Sequence, residues 1–169
     1  MRFLGIDPGL QFTGYGCVDV LPGHAEPVLV EGGVFRLDRR ASLASRLAAL
    51  ERDLEAVMTE LSPDRLAVEQ VFSHAHRART AILMGHARGV ILLSGGRRNL
   101  PIDEFAATEV KKAVTGRGHA RKQQVQASVA AQLGLDHVPD PPDVADAIAI
   151  ALCAARRCEG TAVMSTPMG

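Results

Sequence analysis

The sequence predicts one α/β domain built on a five-stranded mixed sheet, three strands antiparallel and then two parallel, flanked by helices. Three observations carry that prediction. A chain of 169 residues suits a single core. Its opening third holds short apolar runs separated by tight turns, the mark of an antiparallel meander. From residue 42 onward, apolar runs alternate with segments of helical period, as parallel strands joined by crossover helices do.

In the first strand Phe3, Leu4 and Ile6 run up to Pro8-Gly9, so the strand delivers Asp7 to its end. Thr13 to Val20 reads as the second strand, turned by Leu21-Pro22-Gly23-His24, and Val28 to Leu37 as the third. Gly14 and Gly16 weaken the second strand, which implies that another backbone or a ligand comes close there. Ser42 caps a helix whose Leu43, Leu47, Leu50, Leu54, Val57, Met58 and Leu61 form one stripe, and Pro63 stops it. Arg65 to Glu69 is a short strand, placed parallel and inside the sheet by the right-handed crossover rule.

A helical pattern follows from His76 to about Gly95, where Gly95-Gly96 is expected to end it. Leu100 to Phe105 is the fifth strand and Ala107 to Val114 a short helix. Gly116-Arg117-Gly118 turns the chain into a helix from Arg121 to Leu133. A loop from Gly134 to Pro142 precedes a last helix, Asp143 to Arg157. The domain is expected to span residues 1–157, with 158–169 as a disordered tail.

Composition excludes the unusual classes. Apolar residues make up 47% and charged residues 22%, ordinary values for a globular protein. No apolar core of signal-peptide length precedes Asp7, and the run Ala147 to Ala155 is about half of the roughly 20 residues a membrane helix needs. A cytoplasmic location is expected. Cys17, Cys153 and Cys158 are odd in number and lack metal-site spacing, so reduced thiols are expected. The net charge of zero hides a segregation: residues 74–122 carry ten Lys and Arg against three acids, leaving nine bases and sixteen acids elsewhere. A basic side of this kind suits a polyanion.

Four acids stand where chemistry is possible. Asp7 and Glu69 end neighbouring strands, and Asp143 and Asp146 open a helix three residues apart, on one face. Simpler roles exist: Asp7 can start a turn, Glu69 can be an exposed strand end, and Asp143 suits a helix N-terminus. Asp146 is harder to excuse, because the apolar run begins at the next residue. Two unit charges 4 Å apart repel by roughly 4 kcal/mol at an effective dielectric of 20, so four clustered acids call for cations. Oxygen-only ligands favour Mg²⁺ or Mn²⁺, and two such ions about 3.5–4 Å apart can activate a water and stabilise the leaving oxygen of a phosphodiester. Phe72, followed by the polar Ser73 to Arg77, reads as a base-stacking wedge or as a ring tucked under the sheet. Gly116-Arg117-Gly118-His119 reads as a phosphate contact or as a plain interhelical turn.

Five ordered blocks then carry a resemblance. They are Gly5-Ile6-Asp7-Pro8-Gly9 with Thr13-Gly14-Tyr15-Gly16; Glu69-Gln70-Val71-Phe72; Gly85-His86-Ala87-Arg88-Gly89-Val90; Gln123-Gln124-Val125-Gln126; and Asp143-Val144-Ala145-Asp146-Ala147. Over residues 1–157 they resemble the RuvC family of Holliday-junction resolvases. The resemblance implies a ribonuclease-H-like fold, a homodimer, and paired symmetric metal-dependent incisions in four-way junctions during DNA recombination and repair. It implies Mg²⁺ or Mn²⁺, two ions per site, held by Asp7, Glu69, Asp143 and Asp146, with Lys122 completing the catalytic set; family members can carry His at the position of Asp143. DNA contacts are expected from Phe72, Arg77, Arg79, Lys111, Lys112, Arg117, Arg121 and Lys122. The partners it implies are junction DNA and a junction-binding and branch-migration complex of the RuvA and RuvB type. Competing readings are a ribonuclease H acting on RNA–DNA hybrids, a non-catalytic junction-binding protein, and a nucleotide-binding domain of the actin and sugar-kinase type, which needs a second lobe. The helix from Arg77 to Leu93 is expected to supply much of the dimer interface, because Ile82, Leu83, Met84 and Val90 exceed one buried stripe.

Overall fold

The computed structural model describes residues 1–71 and 78–164. Five strands, β1 (Arg2–Asp7), β2 (Phe12–Asp19), β3 (Val28–Arg36), β4 (Arg65–Glu69) and β5 (Ile102–Phe105), form one sheet in the order β3-β2-β1-β4-β5. The β1–β2 and β2–β3 pairs are antiparallel, and the β1–β4 and β4–β5 pairs parallel, as the sequence predicts. The helices are α1 (Leu43–Leu61), α2 (Ala78–Arg97), α3 (Ala107–Thr115), α4 (Lys122–Gln132) and α5 (Pro142–Met164).

Strand alternation divides the core in two. Leu4, Ile6, Cys17, Leu66 and Val68 face α1 and α2, where Leu50, Leu54, Met58 and Ile91 bury against them. Phe3, Val18, Ala67 and Phe105 face α5, with α3 and α4 packed beyond it. Ile148, Ile150 and Leu152 are almost wholly buried, each contributing on the order of 1.5–3 kcal/mol. α1 begins as expected, with the Ser45 N–H donating to Ser42 Oγ at 3.1 Å, and ends on Ser62 in the left-handed region ahead of Pro63.

The strand glycines admit a backbone, not a ligand. A methyl group on Gly14 would fall 2.0 Å from the Asp143 carbonyl oxygen, and one on Gly5 2.2 Å from that of Ala147. α5 therefore lies directly on β1 and β2. This close approach brings the start of α5 over the end of β1, where Asp7 sits.

Two boundaries differ from expectation. α2 runs through Gly95-Gly96 to Arg97, because Gly95 makes room rather than a stop: a methyl there would lie 2.8 Å from Leu66 Cδ2 and 3.0 Å from Ile102 Cδ1. The stop comes at Asn99 (φ 55°), with the Asn99 and Leu100 N–H groups donating to the Gly96 and Gly95 carbonyls. α5 continues past Arg157 to Met164, so much of the expected tail is helix. No proline interrupts before Pro167, and Gly160 alone costs only about 1 kcal/mol of helix propensity. Among the described residues, no helix is long and apolar enough to cross a membrane. Cys17 and Cys153 are buried free thiols.

Candidate active site

Ile6 pairs with Val68 in the parallel β1–β4 register, so Asp7 and Glu69 follow side by side at one sheet edge. Both share strand parity with Gly5 and Ala67, which places them on the face that α5 covers. α5 adds Asp146 from above. α3 and α4 close the other side with Lys111 and Lys122. Together these five charged residues line a single pocket of about 210 Å³, walled by Ala107, Val110, Val125 and Ala149.

Across the pocket Lys122 Nζ lies 2.7 Å from Asp146 Oδ2. The electrostatics are those of too many acids in too little water. Asp7 is pushed up to about 8, first by burial and then by the charges of Glu69, Asp146 and Asp143, with Lys122 opposing. Glu69 is raised by burial and by Asp146, while Lys111 and Lys122 pull it down. For Lys122 burial favours the neutral form, but the hydrogen bond and charge of Asp146, joined by Asp143 and Asp7, outweigh it and raise its pKa. Two ammonium groups leave four carboxylates under-neutralised. Hard oxygen donors with unmet negative charge fit a divalent cation such as Mg²⁺ or Mn²⁺. Among the described residues, no group of three His, Cys, Asp or Glu side chains forms a ready-made metal shell, and the Lys122 ammonium serves as the cation beside Asp146.

The remaining expected residues are dispersed. Asp143 is outside the pocket lining, yet close enough for its charge to raise Asp7. Arg117 lines a separate recess with Thr115 and Gln124, and Arg79, Lys112 and Arg121 are exposed away from the pocket. Phe72 and Arg77 lie outside the described residues. Sequence reasoning missed Ala107 and Ala149, whose small side chains keep the pocket walls low. Alanine on a helix carries no signal beyond good propensity, so nothing in the sequence marks them.

On α2, Ile82 is 62% exposed and Leu93 53% exposed, while Leu83, Met84 and Val90 are half-buried against the body. Between Ile82 and Leu93 the surface is open at Gly85 and Gly89, where an added methyl group would meet nothing within 4 Å. The spacing of three and four residues makes one exposed strip of large and small side chains.

Comparison with known proteins adds further findings. Residues 3–154 match the family model described as crossover junction endodeoxyribonuclease RuvC. A protein of that name from Rhodopirellula baltica is 47% identical over 150 residues, spanning 89% of this chain and 83% of its own. The structure of Thermus thermophilus RuvC superposes with a TM-score of 0.86 at 31% identity, covering 95% of this chain and 97% of that one. The same protein in complex with Holliday junction substrate superposes at 0.87, covering 95% and 96%.

Proposed function

The chain belongs to the RuvC family of crossover junction endodeoxyribonucleases, and from that premise we propose how its residues divide the work of cutting DNA. The protein is an endonuclease with the ribonuclease-H-like fold, and it resolves Holliday junctions. The observation that carries the site assignment is the convergence of Asp7, Glu69 and Asp146 with Lys111 and Lys122 on one pocket at the sheet edge.

Asp7, Glu69 and Asp146 would hold Mg²⁺ or Mn²⁺, two ions in the full site, with Asp143 adding charge from the start of α5. The metal, when bound, supplies the positive charge that makes a water nucleophilic and stabilises the leaving oxygen. Lys122 and Lys111 hold the scissile phosphate by its non-bridging oxygens and orient it for in-line attack. One bond forms between water oxygen and phosphorus as the bond to the leaving oxygen breaks. Arg117, Arg121, Lys112 and Arg79 would bind backbone phosphates away from the cut, and Phe72 and Arg77 would meet the unpaired centre of the junction.

Paired symmetric incisions require two such pockets, and a second copy docked on the exposed Ile82–Leu93 strip of α2 would supply the other. The proposed setting is the cytoplasm, working with a junction-binding and branch-migration complex of the RuvA and RuvB type. Asp7→Asn tests the assignment. Junction binding should survive while cleavage in Mg²⁺ or Mn²⁺ disappears; unchanged cleavage would remove Asp7 from the mechanism. Running a four-way junction beside an RNA–DNA hybrid separates resolvase from hybrid-specific activity.

A further inference from the structure

We infer that Phe12, Arg36, Arg39 and Arg40 form a second DNA-backbone contact beside the catalytic pocket, on the β3 side of the sheet. The inference rests on the resolvase reading and adds a surface from the half of the sequence that is acidic on average.

Register places the contact. Asp7 pairs with Gly14, Gly14 with Val34, and Phe12 with Arg36, and the irregularity in β2–β3 pairing lies far along at Cys17/Val18. Phe12 and Arg36 therefore share the sheet face of Asp7 and sit at the same sheet edge. Two strand spacings of about 4.8 Å and two residue rises of about 3.3 Å put Arg36 roughly 12 Å from Asp7 between Cα positions. That span corresponds to about three to four base-pair rises of 3.4 Å along a duplex. A strand whose phosphate occupies the pocket has its neighbouring phosphates within reach of Arg36.

The surface has the chemistry of a nucleic-acid contact. Phe12 is 36% exposed, and the Arg36 guanidinium lies over its ring, 5.4 Å from the centroid. Beside this pair a groove of about 560 Å³ is lined by Gln11, Phe12, Leu37, Asp38, Arg39 and Arg40. Arg2, Arg65, Arg88, Arg97, Arg98 and Arg156 each hold a carboxylate. Among the described residues, no ion pair engages Arg36, Arg39 or Arg40 although all three are exposed. The one acid in the groove, Asp38, is occupied by the Arg40 N–H at 2.8 Å, and residues 36–40 remain net positive.

The platform is also held in place. The Arg46 guanidinium bonds the Leu10 carbonyl, the Leu37 N–H donates to the Gln11 carbonyl at 3.0 Å, and the Thr13 hydroxyl bonds the Gly9 carbonyl at 2.5 Å. Arginines on a fixed turn lose less freedom when they meet phosphate. A protein partner would leave three unpaired guanidinium groups in search of acids, whereas a sugar-phosphate backbone supplies an anion at every step.

The test uses the full-length chain, a fluorescent synthetic four-way junction, EDTA during binding and Mg²⁺ during cleavage. Arg36→Ala/Arg39→Ala/Arg40→Ala should bind the junction roughly tenfold or more weakly. The slope of log affinity against log salt should become shallower by about two to three, near 0.9 for each lost phosphate contact. Arg→Lys at the same positions should restore most of that slope, which a folding defect would not. Phe12→Tyr should bind like wild type and Phe12→Ala more weakly. A triple variant with wild-type affinity and slope, while the wild type binds and cleaves, overturns this contact and leaves the resolvase reading intact. A wild-type chain that neither binds nor cleaves junctions overturns both.

Discussion

Lys122 Nζ and Asp146 Oδ2, 2.7 Å apart, join the first residue of α4 to the early turns of α5 across the pocket. The pair puts an exposed cation at the mouth of an acidic cluster. Lys122 is 53% exposed, so the bridge contributes little to stability, under about 1 kcal/mol. In the proposed mechanism its role is to meet transition-state charge. Lys122→Ala should lower the single-turnover cleavage rate by about 10²-fold while junction affinity falls only by about one phosphate contact. Thermal melts of that variant should stay near wild type. A rate within twofold of wild type would move Lys122 out of the catalytic set.

Asp7 predicts an inverted pH dependence of stability in metal-free protein. Its folded pKa near 8 exceeds its ordinary value of 3.8, so between these pH values the folded state keeps a proton that the unfolded chain has released. Stability from this group is complete below about pH 4 and is lost as pH rises through 8. Asp7→Asn removes the titration. In EDTA its melting temperature should rise relative to wild type by a few degrees as pH goes from 4 to 8. Adding Mg²⁺ should stabilise wild type more at pH 8 than at pH 6, since the ion competes with the proton, and should do little for Asp7→Asn. A difference that is flat with pH would contradict the buried, crowded setting of Asp7.

The glycines under α5 give a stability prediction with a built-in control. Gly14→Ala must move the Asp143 carbonyl away from a methyl 2.0 Å distant, and β2 cannot yield without losing its register. Overpacking of this kind costs about 1–3 kcal/mol, and it lifts the start of α5 that carries Asp146. Cleavage should fall with stability. Gly96→Ala, in α2 with nothing within 4 Å, should be neutral or stabilising by up to about 1 kcal/mol. Chemical denaturation of both variants reads the contrast.

Much of this was legible because the sheet and the acids are written in local signals. Asp7 and Glu69 each close an apolar run, and the crossover rule makes their strands neighbours, so their meeting follows from topology alone. Gly14 and Gly16 announced a close approach without saying what approaches. The reach of α5 to Met164 was hidden because charged and small residues look like tail once the apolar run ends, although a packed helix propagates cheaply. Gly95-Gly96 reads as a stop because the role of Gly95, clearance for Leu66 and Ile102, depends on side chains from two other strands. The β3-side arginines carry no local signal, because their stretch of chain is acidic on average and Arg36 meets Phe12 only through strand pairing.

The α2 strip predicts how two pockets come to act on one junction. Ile82 and Leu93 are more than half exposed, so Ile82→Glu/Leu93→Glu should leave the monomer fold intact. If a second copy packs there, each new carboxylate is buried against its counterpart, and the desolvation and repulsion should break the dimer. Light scattering after gel filtration should then report monomers at concentrations where wild type is dimeric. Each monomer keeps Asp7, Glu69, Asp146 and Lys122, so residual cleavage should appear as single nicks rather than paired cuts on a supercoiled cruciform substrate. Paired cuts from a variant that remains dimeric would place the interface on another face, whereas nicks without pairing tie the symmetry of resolution to the exposed side of one helix.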